Sequence, residues 1–421
     1  MFFLRRISIL SLIVFFTIPG FSQIAVLDTI YVGSSCGQMG INPQTNLIYV
    51  TMQNNDTVFV IDGYTDSVID TIGVGGVPCG VGVDTMTNRI YVTNMDDNNV
   101  SVIDGTSNSV ITTIAVGESP YGVGVNPQTS RIYVANSFAS CVSIIDGTSN
   151  TVIDTIGAGE YPNGIGINPQ TNRIYVTHFY DSCVTVIDIA ADSMIDTIKV
   201  GTAPLWIDVN LQTNRIYVGN WGSDNVSVID GAGDSVIATI GVGDRPEGVC
   251  VNPQANRIYV VNQNNDNLYV IDGAGDSVIA TVGVGDYPTG ACFNPMTNRI
   301  YVSCYLDGTV WVLHDETSGI EESVPNTQIL SLDMNPNPFN RSTEFALNIP
   351  PDSRGKDVEF LIYDISGRLV KTFSNINSSS SQITLSWDGK ADSGEPLSSG
   401  LYFGVLKCGD AEVQKKMIMI K

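Results

Sequence analysis

The stretch NRIYVTN, residues 88–94, has the makings of one β-strand: Ile-Tyr-Val in β-favouring order, with polar residues that end the run. The chain writes it seven times. Ile-Tyr-Val recurs around Tyr49, Tyr91, Tyr133, Tyr175, Tyr217, Tyr259 and Tyr301, each 42 residues after the last. One full unit, residues 68–109, reads VIDTIGVGGVPCGVGVDTMTNRIYVTNMDDNNVSVIDGTSNS. It holds four short apolar runs, VIDTI, GVGVD, RIYVT and VSVID, separated by Gly, Pro, Asn and Asp. No window sustains a 3.6-residue period, so helices are not expected. Four strands in about 40–45 residues is the pattern of one propeller blade.

Carried through the whole unit, this pattern resembles the YVTN β-propeller repeat family, over roughly residues 24–316. The resemblance implies an all-β, seven-bladed propeller. The ends of the array predict how the ring shuts. The last unit runs through NRIYVSC (298–304) and TVWVL (309–313) and lacks its outermost strand. VLDTI at 26–30 aligns with VIDTI at 68–72 and is the spare. The N-terminal strand is therefore expected beside 309–313, completing blade seven and removing open edges.

Invariant residues read as scaffold. Asn-Pro-Gln-Thr-Asn, as at 168–172, suits a tight turn. A regular hairpin places Arg89 opposite Asp104, Arg131 opposite Asp146, Arg173 opposite Asp188, Arg215 opposite Asp230 and Arg257 opposite Asp272. These are expected to be cross-strand salt bridges inside each blade, worth roughly 0.2–1 kcal/mol. Leu47 facing Asp62 and Arg299 facing His314 break the pair. The tyrosines are expected to pack between blades, and Gly80, Gly82, Gly122 and Gly124 to let inner strands crowd the axis.

Ligand positions have no reason to repeat. The turns NPQTN and DGTSN stay nearly constant and share one face. The other two loop sets vary and share the opposite face. There they place Tyr121, Phe138, Tyr161, His178, Phe179, Tyr180, Asp181, Trp206, Trp221, Tyr287 and Tyr305, with Asp97, Asp224 and Asp266 nearby. Exposed aromatics beside hydrogen-bonding groups suit a glycan or a protein ligand. Enzyme signals are few: two histidines, His178 and His314, and no GxSxG, phosphate loop or HExxH. No catalytic residue, metal or cofactor is expected. Asp208, standing in place of the usual Gly at its inner-strand position, is the one hint of an alternative, a metal-dependent lactonase-like hydrolase. A second alternative is a structural surface-layer component, which YVTN repeat proteins resemble. Of eight cysteines, Cys36 and Cys304 become neighbours if the ring closes, and a disulfide between them is expected to fasten the seam.

The chain carries 20 basic and 43 acidic residues, a net charge of −23. That balance disfavours nucleic acid and anionic lipid. MFFLRR, an apolar run and Gly20-Phe21-Ser22 read as a secretory signal peptide over residues 1–22, cut near Ser22. No membrane insertion is expected after cleavage. The propeller spans 23–316, a polar linker 317–332, and a small Ig-like β-sandwich 333–421. In this last part NPNPFN (335–340), LIYDISGRLVKTF (361–373), WDGKADSGEPLSSGLYF (387–403) and the terminal KKMIMIK resemble the type A sorting domain of type IX secretion. That domain is similar to the Ig-like domain of flagellar hook-capping proteins. The resemblance implies a partner, the type IX secretion machinery, and a bacterial protein exported through the periplasm to the outer surface or the medium.

Overall fold

The computed structural model describes residues 24–315 without a break, and beyond them 331–335, 342–349, 356, 358–364, 367–374, 376, 382–409 and 411–419. The expected signal peptide, linker residues 316–330 and most of NPNPFN lie outside the described residues. The chain falls into two compact units, divided between residues 321 and 322. Among the described residues there is no helix.

In the first unit, residues 24–315 make seven four-stranded antiparallel sheets. Six take consecutive strands: 36–73, 78–115, 120–157, 162–199, 204–241 and 246–283, here called blades 1 to 6. Blade 7 takes Pro288–Asn294, Arg299–Cys304 and Thr309–Asp315, and its outermost strand is Ile24–Tyr31. Val26 pairs with Leu313 and Ile30 with Val310. The innermost strands touch in a closed cycle, Pro288–Asn294 of blade 7 meeting Cys36–Asn42 of blade 1. The N-terminal strand thus closes the ring as its sequence alignment requires.

Each connection is a four-residue turn whose last residue has a positive φ. In blade 2 and the loop leaving it these are Asn88 (52°), Asn98 (53°), Asn108 (48°) and Ser119 (53°). Asn, Asp and Ser tolerate that region best, which is why they punctuate every unit. The outermost strands bulge. In blade 2 the pairing skips Ile111, leaving it unpaired on the rim. A bulge spoils the exposed edge as a template for another strand.

The repeated tetrapeptide can now be read atom by atom. Tyr91, fully buried, packs with Val100, Val102 and Ile114 of its own blade and Ile132, Val134 and Ile145 of the next. Two of its equivalents send their hydroxyls to the outer turn of the following blade: Tyr175 donates to Asp234 at 2.7 Å and Tyr301 to Asp66 at 2.8 Å. Thr93 donates to the carbonyl of Tyr121 in the next innermost strand at 2.6 Å. Asn94 stays local, donating to Asn99 at 2.6 Å and Ser101 at 2.9 Å. A second ring runs through the constant turns, with Asn42 donating to Asn88 and, across the seam, Asn294 to Asn46. The inner strands approach so closely that a Cβ on Gly122 would stand 2.0 Å from the carbonyl oxygen of Asn163.

The arginines correct the expectation of salt bridges inside each blade. The register pairs Arg89 with Asp104, Arg131 with Asp146, Arg173 with Asp188, Arg215 with Asp230 and Arg257 with Asp272. Only Arg173 (3.1 Å) and Arg257 bond that aspartate. Arg131 reaches Asp192 of the next blade at 3.0 Å, Arg215 reaches Asp276 at 2.9 Å, and Arg89 reaches the carbonyl of Gly147. The turn amides do not decide the choice. Asp104 accepts those of Ser107 (2.9 Å) and Thr106 (3.0 Å), which hold its carboxyl below the ordinary range, but Asp188 accepts those of Ala190 and Ala191 (2.9 Å each) and still bonds Arg173. Asp146 and Asp230 accept turn amides likewise. The guanidiniums of Arg89, Arg131 and Arg215, part-buried at the blade interface, find their acceptors in the neighbouring turn.

The disulfide expectation is also corrected. Cys36 and Cys304 do meet at the seam, but both are free, and the Cys36 thiol donates to the backbone carbonyl of Cys304 at 3.0 Å. Burial pushes the Cys36 thiol up to about 12 and raises that of Cys304, so neither is a ready nucleophile.

The second unit is a small β-structure of two sheets. Ser331–Asn335, Thr343–Asn348 and Gln382–Trp387 form one; Leu369–Phe373, Val358–Asp364, Gly400–Cys408 and Ala411–Met419 form the other. Phe345, Phe360, Trp387, Leu406 and Met417 share its core, with Phe345 and Phe360 rings 4.6 Å apart.

Candidate binding face

The loops that vary between units carry a continuous row of aromatic rings. Phe138 of blade 3 meets Tyr161 at 5.5 Å; Tyr161 meets Tyr180 at 5.1 Å and Phe179 at 6.1 Å; Phe179 meets Trp221 of blade 5 at 5.9 Å. The Arg245 guanidinium lies over the Trp221 ring at 4.3 Å. Phe138 and Tyr180 are 62% and 66% exposed. The row stays on the surface because each ring leaves a loop tip, not a strand. Tyr161, Arg245 and Tyr287 sit at φ of 55°, 57° and 60°, a region bulky residues rarely occupy. Backbone strain of this kind gathers at functional loops.

What holds these loops is a set of side chains expected to face a ligand. Asp181 accepts the amide of Glu160 at 2.8 Å, and Asp97 that of Gly76 at 2.8 Å. Asp224 and Asp266 accept the amides of Arg245 and Tyr287, each at 3.0 Å. These carboxylates knit one loop to the next and pin the strained residues. His178 is corrected too. It is fully buried, ending a strand where other units carry Asn94, Asn136, Asn220 and Asn262. Burial lowers its pKa, so it sits neutral inside the blade and not on the face.

The other predicted aromatics gather at the ring's axis. The central channel holds a cavity of about 260 Å³ lined by Val81, Val123, Ile165, Trp206, Asp208 and Val249 among others. Trp206 stands where five of the other six units carry glycine and the first carries Gln38, and its ring lies 5.9 Å from that of Tyr121. Asp208 spends one carboxylate oxygen on the amide of Val209 (2.7 Å) and the other on that of Val251 in blade 6 (2.8 Å). Burial pushes it up to about 6 against those two bonds. At the same register stand Gly40, Gly82, Gly124, Gly166, Cys250 and Cys292, so Asp208 has no carboxylate companion there.

Toward the varied face the channel widens into a cavity of about 510 Å³ lined by Gln38, Gln53, Cys79, Tyr121, Glu247, Gln263, Tyr287, Thr289 and Tyr305. Tyr287 and Tyr305 meet at 6.0 Å. Glu247, only 8% exposed, was not singled out in the sequence. It accepts a hydrogen bond from Gln263 Nε2, while Gln263 Oε1 accepts the Trp221 indole N–H at 3.3 Å. Burial pushes the Glu247 carboxyl up to about 8, with the Gln263 amide pulling it down. The signal that could have found it is the second residue of the innermost strand. Across the units this reads Gly37, Cys79, Tyr121, Asn163, Leu205, Glu247 and Thr289, with one carboxylate in seven.

Residues 20–212 match the family described as YNCE-like beta-propeller, and residues 334–406 match the FlgD Ig-like domain. No curated protein matches the chain. Among solved structures, one titled Kuenenia stuttgartiensis Hydrazine Synthase aligns with a TM-score of 0.61 at 20% identity, covering 67% of this chain and 96% of that one. At that identity the likeness is one of fold. The chain is thus a β-propeller followed by a separate Ig-like β-domain, an arrangement that fits a binding or structural role.

Proposed function

We propose that this is an exported bacterial binding protein, a seven-bladed propeller whose varied face takes a protein or glycan ligand. The C-terminal domain is the signal for type IX secretion. The observation that carries the binding reading is the row Phe138–Tyr161–Tyr180–Phe179–Trp221. Solvent-facing aromatics in contact with one another are the composition of an interface hot spot. A protein ligand is favoured over a glycan. The rings meet at steep angles of 57–88° from Tyr161 through Tyr180 to Phe179, and Arg245 covers one face of Trp221, so no broad flat platform is left for a sugar. The secretion reading is supported by the ordered motifs of residues 333–421 and the hydrophobic leader.

The test is a binding screen against glycans and surface proteins with the mature chain and its Phe179→Ala/Tyr180→Ala double variant. Hits on this face should weaken at least tenfold in the variant. Hits bound equally well by both proteins would remove the ridge as the ligand site.

A structural surface-layer role is the second reading. It is favoured by a rim of apolar side chains on the outermost strands: Leu27, Ile69, Ile111, Ile153, Ile195 and Ile237 are each 45–51% exposed. Ordered self-assembly of the purified protein without added ligand would select it over the first.

A further inference from the structure

The carboxylate at the channel mouth is the group the binding reading leaves unexplained. Glu247 is taken out of water, yet among the described residues it makes no ion pair, and its hydrogen bond is to the neutral Gln263 amide. A carboxyl buried without a cation takes up a proton instead of keeping its charge, as the upward shift of Glu247 shows; a cation that enters the cavity favours the charged form and releases that proton. The Gln263 amide cannot serve both ways, because its oxygen is held by the Trp221 indole. Tyr121, Tyr287 and Tyr305 line the cavity beside Glu247. Tyr121 and Tyr287 both feel the Glu247 charge, which raises their own hydroxyl pKa values beyond what burial does alone.

We propose that this cavity binds a small organic ammonium group, with Glu247 as counter-ion and Tyr121, Tyr287 and Tyr305 as an aromatic wall. A positive charge is attracted to the faces of such rings, and a carboxylate beside them completes the complement of an alkylated or primary amine. The alternatives fit less well. A calcium ion asks for six to eight oxygens and zinc for four Cys, His or carboxylate ligands, and the described residues contain no group of three His, Cys, Asp or Glu placed to share a metal. An anion would meet both Glu247 and a chain of net charge −23. A neutral ligand would meet the protonated carboxyl and gain no charge attraction from it. The cavity, about 510 Å³, is open to the varied face, so the ammonium group can come from a free amine or from a lysine side chain presented by a partner.

The experiment is calorimetric titration of the full-length mature protein with tetramethylammonium, butylammonium and Nα-acetyl-lysine amide, at fixed ionic strength, with 1-butanol and sodium chloride as uncharged and inorganic controls. Saturable binding of at least one of the three cations is expected, at least tenfold tighter than 1-butanol. Glu247→Gln should weaken it at least tenfold and Tyr287→Leu at least threefold. Preference for the lysine derivative assigns the group to a protein partner; preference for the simple amines assigns it to a free metabolite. Glu247→Gln is also expected to melt higher than wild type at pH 9, because the unliganded carboxylate is costly once ionised. That readout shows the variant to be folded. No saturable binding of any cation to wild type, or equal binding by Glu247→Gln, overturns the proposal. The site meets the aromatic row at Trp221, whose indole holds Gln263, so the two readings are separated at the far end of the row: Phe138→Ala, whose ring touches only Tyr161 in the row, is expected to weaken the ligand of the row and leave cation binding unchanged, so failure of either reading is seen apart from the other.

Discussion

The seam offers the sharpest test of what holds the ring. Asp66, in the outer turn of blade 1, accepts the Tyr301 hydroxyl at 2.8 Å and Arg299 at 2.5 Å, both from blade 7. The side chains of Asp66 and Arg299 are only 10% and 20% exposed, and Tyr301 is fully buried. Asp66→Ala therefore strands a phenol and a guanidinium that water barely reaches. Hydrogen bonds to a charged group are worth roughly 1.5–3 kcal/mol each. Breaking a buried pair costs about 3–5 kcal/mol, and partial exposure reduces that. A loss of about 2–4 kcal/mol is expected, lowering the melting temperature by roughly 5–10 °C. The assay is urea and thermal unfolding followed by tryptophan fluorescence, since Trp311 lies in the seam blade opposite Thr29. Asp104→Ala, which removes only a turn cap on an exposed residue, is the control. The pH dependence has a definite sign. Burial raises the Asp66 pKa despite Tyr301 and Arg299. The folded state thus holds the proton more tightly than the unfolded one, and the stabilisation from this group fades as pH rises through the carboxylate range. The gap between wild type and Asp66→Ala should be wider at pH 4 than at pH 7. A gap that widens with pH would show that attraction to Arg299 outweighs desolvation. A variant no weaker than Asp104→Ala would remove the seam contact as a source of stability.

Two further perturbations address the packing. Gly122→Ala puts a Cβ 2.0 Å from the Asn163 carbonyl, so blades 3 and 4 must part; a loss of about 3 kcal/mol or more is expected in denaturant titration, against almost none for Gly73→Ala, which meets nothing within 4 Å. His178 is buried neutral with a lowered pKa, so the unfolded chain takes its proton first and stability should fall as pH drops below about 6.5. His178→Asn, the residue of four sister units, should flatten that acid slope in melts between pH 5 and 7.

Most of the propeller is legible because a repeat states its contacts many times. The period of Tyr49 to Tyr301 fixes strand number, and the spare VLDTI at 26–30 locates the closing strand. What the repeat hides is direction. Arg131 has an aspartate opposite it at 146 and another at 192, and both recur at constant spacing. Periodicity alone cannot tell a partner in the same blade from one in the next. The structure shows both choices in one ring: Arg173 takes the aspartate of its own blade and Arg131 that of the next. The varied face hides something else. Composition groups Asp181 with Tyr180, though one ties down a loop and the other meets solvent. Their difference lies in whether a backbone N–H stands within reach, which no spacing rule records. Glu247 is the reverse case. It is silent as a motif because it occurs once, and yet its place in the unit is otherwise filled by uncharged residues. In this ring the second residue of five of the seven innermost strands, Gly37, Cys79, Tyr121, Glu247 and Thr289, lines the same mouth. A single charge at that position has no symmetry mate to pair with, and nothing in the scaffold requires it. Departure from the repeat on the innermost strand is therefore a stronger pointer to a ligand than aromatic richness on the loops.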